Sequence, residues 1–362
     1  MTLILCGARL AAAQGAPETG GFVVRLGTDT IVVERFTRTA ARLEGDYVGR
    51  SPRTIRRHWT ATLAPDGSVR RFEMTSWTVG EPGVPPQQAF IEFRDDSAVR
   101  QNATLAAPAG TVPFLANSWA LLEQATRRWR AGSATRVAQP ALGPGDDQLM
   151  SITLERLGSD SVTITIFDGN PNAARVDGAG RVLGVTGFGQ LTVERVPDLD
   201  MAALAASFGP RPLGTLSPRD TARAEITGAH VLVDYGRPAR RGRTVFGGIV
   251  PWNKAWRTGA NTATTLVTDA DLVIGGVAVP AGHYSLYTIP APTGWTLIVN
   301  RDVGQSGTEY TAEHDFARVP MQTETVPQLV ERFTIAIEPR GRGGVLLLEW
   351  ETTRAWVEIV RK

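Results

Sequence analysis

Apolar and polar side chains alternate along most of this chain, and the alternation sets the first structural expectations. From Gly21 to Trp77, in FVVRLG, TDTIVVERFTRTAARLEGDYVGR and TIRRHWTATLAPDGSVRRFEMTSW, apolar residues fall at every second position. A period of two belongs to half-buried antiparallel strands. Gly27-Thr28-Asp29 and Pro65-Asp66-Gly67 punctuate the runs, and such residues supply the backbone angles of hairpin turns. Pro82, Pro85 and Pro86 interrupt the pattern, which resumes in QQAFIEFRDDSAVRQNATLAAPAG. The period then changes: Leu115, Trp119, Leu122, Thr126 and Trp129 recur at helical spacing, with Arg127, Arg128 and Arg130 mainly on the other side and Gly132 as a stop. One helix near 113–131 is therefore expected to cover the open face of a curved antiparallel sheet. After a Gly/Pro-rich break at Pro140 to Asp147, strands return in SITLERLGSDSVTITIFDG, AARVDGAGRVLGVTG and QLTVERV. The piece Asp198 to Phe208 reads as a short capped helix ended by Gly209.

Pro210-Arg211-Pro212 and the polar run to Arg219 mark a boundary, giving an N-terminal domain over 14–212 and a C-terminal one over 213–362. In the second, AEITGAHVLVDYG, TTLVTDADLVIGGVAV, GHYSLYTIP, GWTLIVN, RFTIAIEP, GVLLLEWE and RAWVEIVR are short runs rich in β-branched and aromatic residues. Seven such runs predict a β-sandwich or jelly roll, so the protein as a whole is expected to be mainly β with two domains. Thr268-Asp269-Ala270-Asp271 reads as a tight turn between adjacent strands, and GVLLLEWETTRAWVEIV reads as a closing hairpin.

Composition narrows the function classes. With 42% hydrophobic and 20% charged residues in 362, the chain is ordinary for two folded domains. The formal charge of +2, from 38 basic and 36 acidic residues, gives no electrostatic case for nucleic acid. Residues 1–13, MTLILCGARLAAA, resemble the apolar core and small-residue cleavage site of a secretory leader. An extracytoplasmic location, periplasmic or secreted, is the resulting expectation. Cys6 is the single cysteine, so removal of such a leader leaves neither disulfides nor thiolate ligands. No later segment has the apolar length of a transmembrane helix.

The densest concentration of Gly, Trp and Arg lies between Val233 and Asn300. It contains Y-G-R-P-x-x-x-G-R from Tyr235 to Arg243, F-G-G-I-V-P-W from Phe246 to Trp252, W-R-T-G-A-N-x-A-T from Trp256 to Thr264 and P-A-G-x-Y-S-L-Y-T-I-P from Pro280 to Pro290. W-T-L-I-V-N at Trp295 to Asn300 and the spacing Tyr310…Asp315…Arg318 follow. These motifs resemble the bacterial family of exported proteins called domain of unknown function 2911, across most of Ser217 to Lys362. The resemblance implies a β-sandwich-like fold outside the cytoplasm and implies no activity. Two positions depart from the family pattern: Ser306-Gly307 stands where a Trp precedes the glycine, and Trp252-Asn253 stands where a tyrosine and glycine follow the proline.

Chemically, Arg257 and Asn261 flank Gly259 just after Trp252 and Trp256. A guanidinium fork, an amide and flat indoles suit a carboxylate or a sugar. Arg243, Trp252, Trp256, Arg257, Asn261 and Tyr310 are thus the candidate ligand-binding residues, and the competing expectation is that they lock the loop that starts the sheet. His283, His314 and Asp315 are the only acid/base candidates, without a complete triad. There is no H-x-x-x-H or H-E-x-x-H, and the Asp269/Asp271 pair lacks the rest of a calcium loop, so neither metal nor cofactor is expected. Gly178 to Gly184 has glycines in the manner of a dinucleotide loop, but the last is one residue late and no helix follows, so a strand turn is expected. The leading expectation is an exported, non-enzymatic protein that binds a small molecule, a glycan or another envelope component. A hydrolase using His283, His314 or Asp315, and a structural interaction module, are the alternatives.

Overall fold

A computed structural model describes residues 16–101, 103–167, 171–187 and 190–362. The leader-like segment and Cys6 lie outside the described residues. The chain is mainly β and forms two large sheets. It divides into two compact units: residues up to Val24 with Val32–Val185 and Val193–Pro212, and Arg25–Ile31 with Thr186–Thr192 and Leu213–Lys362.

The first sheet has fifteen strands: β1 (Glu18–Leu26), β2 (Asp29–Arg38), β3 (Arg42–Gly49), β4 (Ile55–Leu63), β5 (Val69–Thr78), β6 (Gln87–Phe93), β7 (Ser97–Val99), β8 (Thr104–Ala106), β9 (Val112–Pro113), β10 (Arg136–Leu142), β11 (Met150–Arg156), β12 (Ser161–Ile166), β13 (Asn172–Val176), β14 (Val182–Gly187) and β15 (Leu191–Val196). Their order is β8 through β1 and then β15 back to β9. Two meanders therefore meet where β1 lies beside β15, and nearly every neighbour in the sheet is a neighbour in sequence. The alternation has its expected cause in β4, where Trp59, Ala61 and Leu63 are buried between more exposed residues. Asp66 and Gly67 form the tip between β4 and β5, with Asp66 Oδ1 accepting from Ser68 N at 2.9 Å. The glycine run before β14 is a strand turn, closed by Asp177 Oδ1 accepting from Ala179 N and Arg181 N.

Helix α1 (Trp119–Arg130) is more enclosed than a helix covering an open face, because nine of its residues are buried, Glu123 and Gln124 among them. Its polar side is satisfied by the sheet. Glu123 accepts from Arg38 of β2 at 2.6 Å, from Arg195 of β15 and from Val182 N of β14 at 2.8 Å. A second carboxylate, Glu34 of β2, is fully buried at the helix start, where it accepts from Ser118 Oγ at 2.5 Å and Ala120 N at 2.9 Å. It thereby satisfies backbone donors that a helix start leaves open. Helix α2 (Met201–Phe208) begins at Asp200, whose carboxylate accepts from Ala203 N at 2.9 Å. Met201 and Ala205 of α2 pack on Val23, Val33 and Val48.

The second sheet has nine strands: β16 (Arg219–Ile226), β17 (Ala229–Gly236), β18 (Thr264–Thr268), β19 (Leu272–Ile274), β20 (Val277–Val279), β21 (Gly282–Ile289), β22 (Trp295–Asn300), β23 (Asp315–Arg340) and β24 (Gly343–Arg361). Their order is β16-β17-β18-β21-β22-β23-β24-β19-β20. Two sequence expectations change here. The turn at Thr268 to Asp271 does not join adjacent strands, since β18 pairs with β21 whereas β19 pairs with β24. The stretch expected to be a hairpin is the single strand β24: Glu351-Thr352-Thr353 carries no turn chemistry, and Glu351 takes up the bend with φ 58°. Strand β23 bends in step, with register shifts between Thr325 and Val330 and between Val330 and Thr334. The curled sheet encloses one core containing Tyr235, Phe246, Trp256, Leu286, Trp295, Phe333 and Trp350.

Candidate functional site

The signature begins where β17 ends. Tyr235 is buried, its ring meeting Phe333 edge-on at 5.8 Å. Gly236 follows because a Cβ there would stand 2.1 Å from the Ala260 carbonyl oxygen. Two backbone segments touch at this point, and no side chain fits between them. The segment that touches is the W-R-T-G-A-N turn. Trp256 exchanges backbone hydrogen bonds with Thr288 at 2.7 and 2.9 Å, which fixes its ring in the core, stacked on Trp350 at 5.9 Å and edge-on to Phe333 at 5.0 Å. Thr258 is left-handed (φ 48°), a costly state for a β-branched residue. Its hydroxyl reaches Thr288 Oγ1 at 3.2 Å, and its carbonyl accepts from Thr264 Oγ1 at 2.7 Å.

Three of the six candidate ligand residues serve this locking. Trp256 fills the core. Trp252 stacks on Phe246 at 5.7 Å. Arg243, 7% exposed, donates from Nε to Arg240 O at 2.8 Å and from Nη2 to Ala239 O at 2.5 Å. Burial, helped by the neighbouring Arg241 charge, brings the Arg243 guanidinium down to about 10.

The other three gather on the opposite face of the sheet. Along β21 the residues alternate: Tyr284 and Leu286 enter the main core, whereas Tyr287 joins Ala263 and Ile298 in a small outer cluster with Ile289 and Tyr310 beside it. The Tyr287 and Tyr310 rings lie 4.8 Å apart. Asn261, left-handed at φ 64° with an exposed side chain, pairs by its carbonyl with Gly307 N at 2.9 Å. Arg257 runs past Gly307, where a Cβ would meet its Cδ at 2.4 Å. Glycine at 307 is thus what lets the Arg257 stem pass. Burial lowers the pKa of the half-buried Arg257, with Tyr287 opposing the shift. Among the described residues no carboxylate or carbonyl pairs with its guanidinium.

Around this pair of tyrosines a polar network clamps the segment from Asp302 to Thr311 onto the sheet. Ser285 Oγ donates to Asp302 O at 2.5 Å; Gln305 Nε2 donates to Ser285 Oγ at 3.1 Å and Tyr287 OH at 3.3 Å; Tyr287 OH donates to Glu309 O at 3.2 Å. The spaced trio closes on itself: Tyr310 OH donates to Asp315 Oδ2 at 2.8 Å, and Arg318 donates to Asp315 Oδ2 at 2.8 Å and to Tyr310 OH at 3.0 Å. Burial and then the Asp315 carboxylate push the Tyr310 phenol up to about 12, so it stays a donor at neutral pH.

The acid/base candidates have separate partners. His314 Nδ1 donates to Asp302 Oδ1 at 2.7 Å, Asp315 is taken by Asn300, Tyr310 and Arg318, and His283 is exposed on β21 opposite Val267. Sequence reasoning missed Ser285, Tyr287, Asn300, Asp302 and Gln305. The period-two pattern of Tyr284-Ser285-Leu286-Tyr287 holds the signal for the second face, since Ser285 and Tyr287 share it. Among the described residues no group of His, Cys, Asp or Glu is arranged to hold a metal ion, and no helix is long and apolar enough to cross a membrane.

Similar solved structures include a protein of the DUF1089 family from Pseudomonas aeruginosa, 13% identical, covering 50% of this chain and 95% of its own, with a TM-score of 0.37. A beta-barrel-like protein of domain of unknown function DUF1849 from Brucella abortus is 16% identical over 50% of this chain and 95% of its own, with a TM-score of 0.33. A putative AttH from Nitrosomonas europaea is 13% identical over 99% of both chains, with a TM-score of 0.11. No curated protein matches the sequence. Residues 217–359, the segment that carries the signature built up above, match the family described as Protein of unknown function (DUF2911).

Proposed function

We propose that this is an extracytoplasmic, non-enzymatic binding protein whose second unit takes a carboxylate-bearing small ligand at Arg257. The observation that carries the reading is the half-buried guanidinium, which has no hydrogen-bond or ion-pair partner among the described residues. A charge drawn out of water and left unpaired is costly, and a carboxylate matches its fork with two parallel hydrogen bonds. Gly307 leaves room for the stem, the exposed Asn261 amide offers a donor and an acceptor nearby, and the half-buried Tyr310 ring, backed by the fully buried Tyr287 ring, offers an apolar wall. The leader-like residues 1–13 support export.

Thermal-shift measurements and calorimetry with uronic acids, sialic acid, acidic peptides and their neutral counterparts test the reading. Binding that depends on Arg257 is expected for the carboxylates and not for their neutral counterparts, and ligand at a hundred times its Kd stabilises by about 2.7 kcal/mol. Arg257→Ala is expected to weaken binding by roughly ten- to a hundredfold, the worth of a hydrogen bond to a charged group. Absence of binding across the carboxylates, or equal binding by the Arg257→Ala protein, removes the reading.

A further inference from the structure

We propose a second ligand site in the same unit: a cleft over Trp356 that binds one ring of a neutral glycan. It lies outside the signature and shares no residue with the Arg257 site. The register shifts that bend β23 fold the outer faces of the β23–β24 pair toward each other, leaving a cavity of ≈ 520 Å³. That volume lies in the range of small-molecule sites. Strand alternation explains what faces it. Leu346, Leu348, Ala355 and Val357 enter the main core, so Leu347, Arg354 and Trp356 emerge on the other side.

The lining has the chemistry of sugar recognition. Trp356 is half-buried, yet among the described residues no aromatic ring or guanidinium stacks on it and its indole N–H has no protein partner. An uncovered indole face beside Leu347 and Pro339 suits the apolar C–H face of a pyranose. The rim supplies both kinds of hydrogen-bonding group. Arg354 is held in place by Glu324 Oε1 at 2.8 Å and Glu349 Oε1 at 2.6 Å, which orients a guanidinium toward hydroxyl oxygens. Across the cleft Glu338 is exposed and has no partner among the described residues, so its oxygens can accept from hydroxyls. The lining carries two carboxylates, Glu324 and Glu338, and two guanidiniums, Arg340 and Arg354, so it has no net charge with which to select an acidic ring and favours a neutral one. This preference is opposite to that of the Arg257 site.

Saturation-transfer NMR and calorimetry on the full chain, with neutral oligosaccharides of glucose, galactose and N-acetylglucosamine as probes, test the proposal. Binding of at least one series is expected. Affinity should fall at least tenfold in Trp356→Ala, less in Trp356→Phe, and severalfold in Glu338→Ala, an exposed position whose replacement leaves the fold alone. Arg257→Ala should bind as the parent does, which keeps the outcome separate from that of the carboxylate site. The proposal is overturned if none of the neutral probes binds the parent protein. It is also overturned if folded Glu338→Ala and Trp356→Phe both bind with unchanged affinity.

Discussion

At the scale of single residues, the close backbone approach at Gly236 sets the geometry of the signature. A Cβ at Gly236 meets the Ala260 carbonyl oxygen at 2.1 Å and the Ala260 nitrogen at 2.9 Å, atoms that belong to backbone and cannot swing away. Gly236→Ala is therefore expected to cost about 3 kcal/mol or more, read as a lowered urea midpoint at unchanged slope. At Gly307 a Cβ would meet the Cδ of Arg257 at 2.4 Å and the backbone oxygen of Asn261 at 2.7 Å, so the same change would displace that side chain and strain the backbone behind it. Sequence reasoning marked Gly236 and Gly259 within conspicuous motifs, but their purpose lies in a meeting of segments distant in the chain. The same limit split the six candidate residues. Arg243, Trp252 and Trp256 read as a polar and aromatic binding array, yet their partners are loop carbonyls and core rings that only the fold supplies.

Among the elements, α1 shows how a correct period leaves half the design unseen. The apolar stripe from Leu115 to Trp129 identified the helix, but Glu123 and Gln124 are buried too, because Arg38 and Arg195 reach them from strands at either end of the sheet's sequence. Glu34 is the more exposed to test. Burial pushes its carboxyl from 4.5 up to about 7, against the hydrogen bonds from Ser118 and Ala120. The folded state thus holds a proton that the unfolded state has released once pH exceeds 4.5. Stability from this group is full below that pH and declines as pH rises to about 7, by roughly 3 kcal/mol in all. Glu34→Gln, which keeps an acceptor for the helix start, is expected to flatten the dependence of ΔG on pH across that window. Chemical denaturation at half-unit steps checks it; an unchanged slope in the variant would contradict the assignment.

Across the whole molecule, the mainly β character and the two sheets were legible because alternation and turn residues are local. Strand partnership was not: nothing local distinguishes β19 as a neighbour of β24 rather than of β18. Nor does the boundary at Pro210 to Pro212 reveal that Arg25–Ile31 and Thr186–Thr192 belong to the second unit. Within that unit Asp29 pairs with Arg241, whose side chain is only 7% exposed, and Arg241 O accepts from Thr28 N at 2.9 Å. Asp29→Asn is expected to destabilise the second unit by about 2 kcal/mol, since it leaves a buried guanidinium short of its counter-charge. Calorimetry should show the unfolding transition of that unit moving while that of the first stays in place. The order of the first sheet also has a consequence in time. Each hairpin can close as soon as it is made, but β1 has β15 as its second neighbour. At ordinary translation speeds roughly ten to thirty seconds separate the two strands. Over that interval the nascent chain carries an unpaired edge at β1, and Glu123 waits for Arg195. A chain interrupted before Leu191 keeps both defects permanently, and an open strand edge is where such fragments associate.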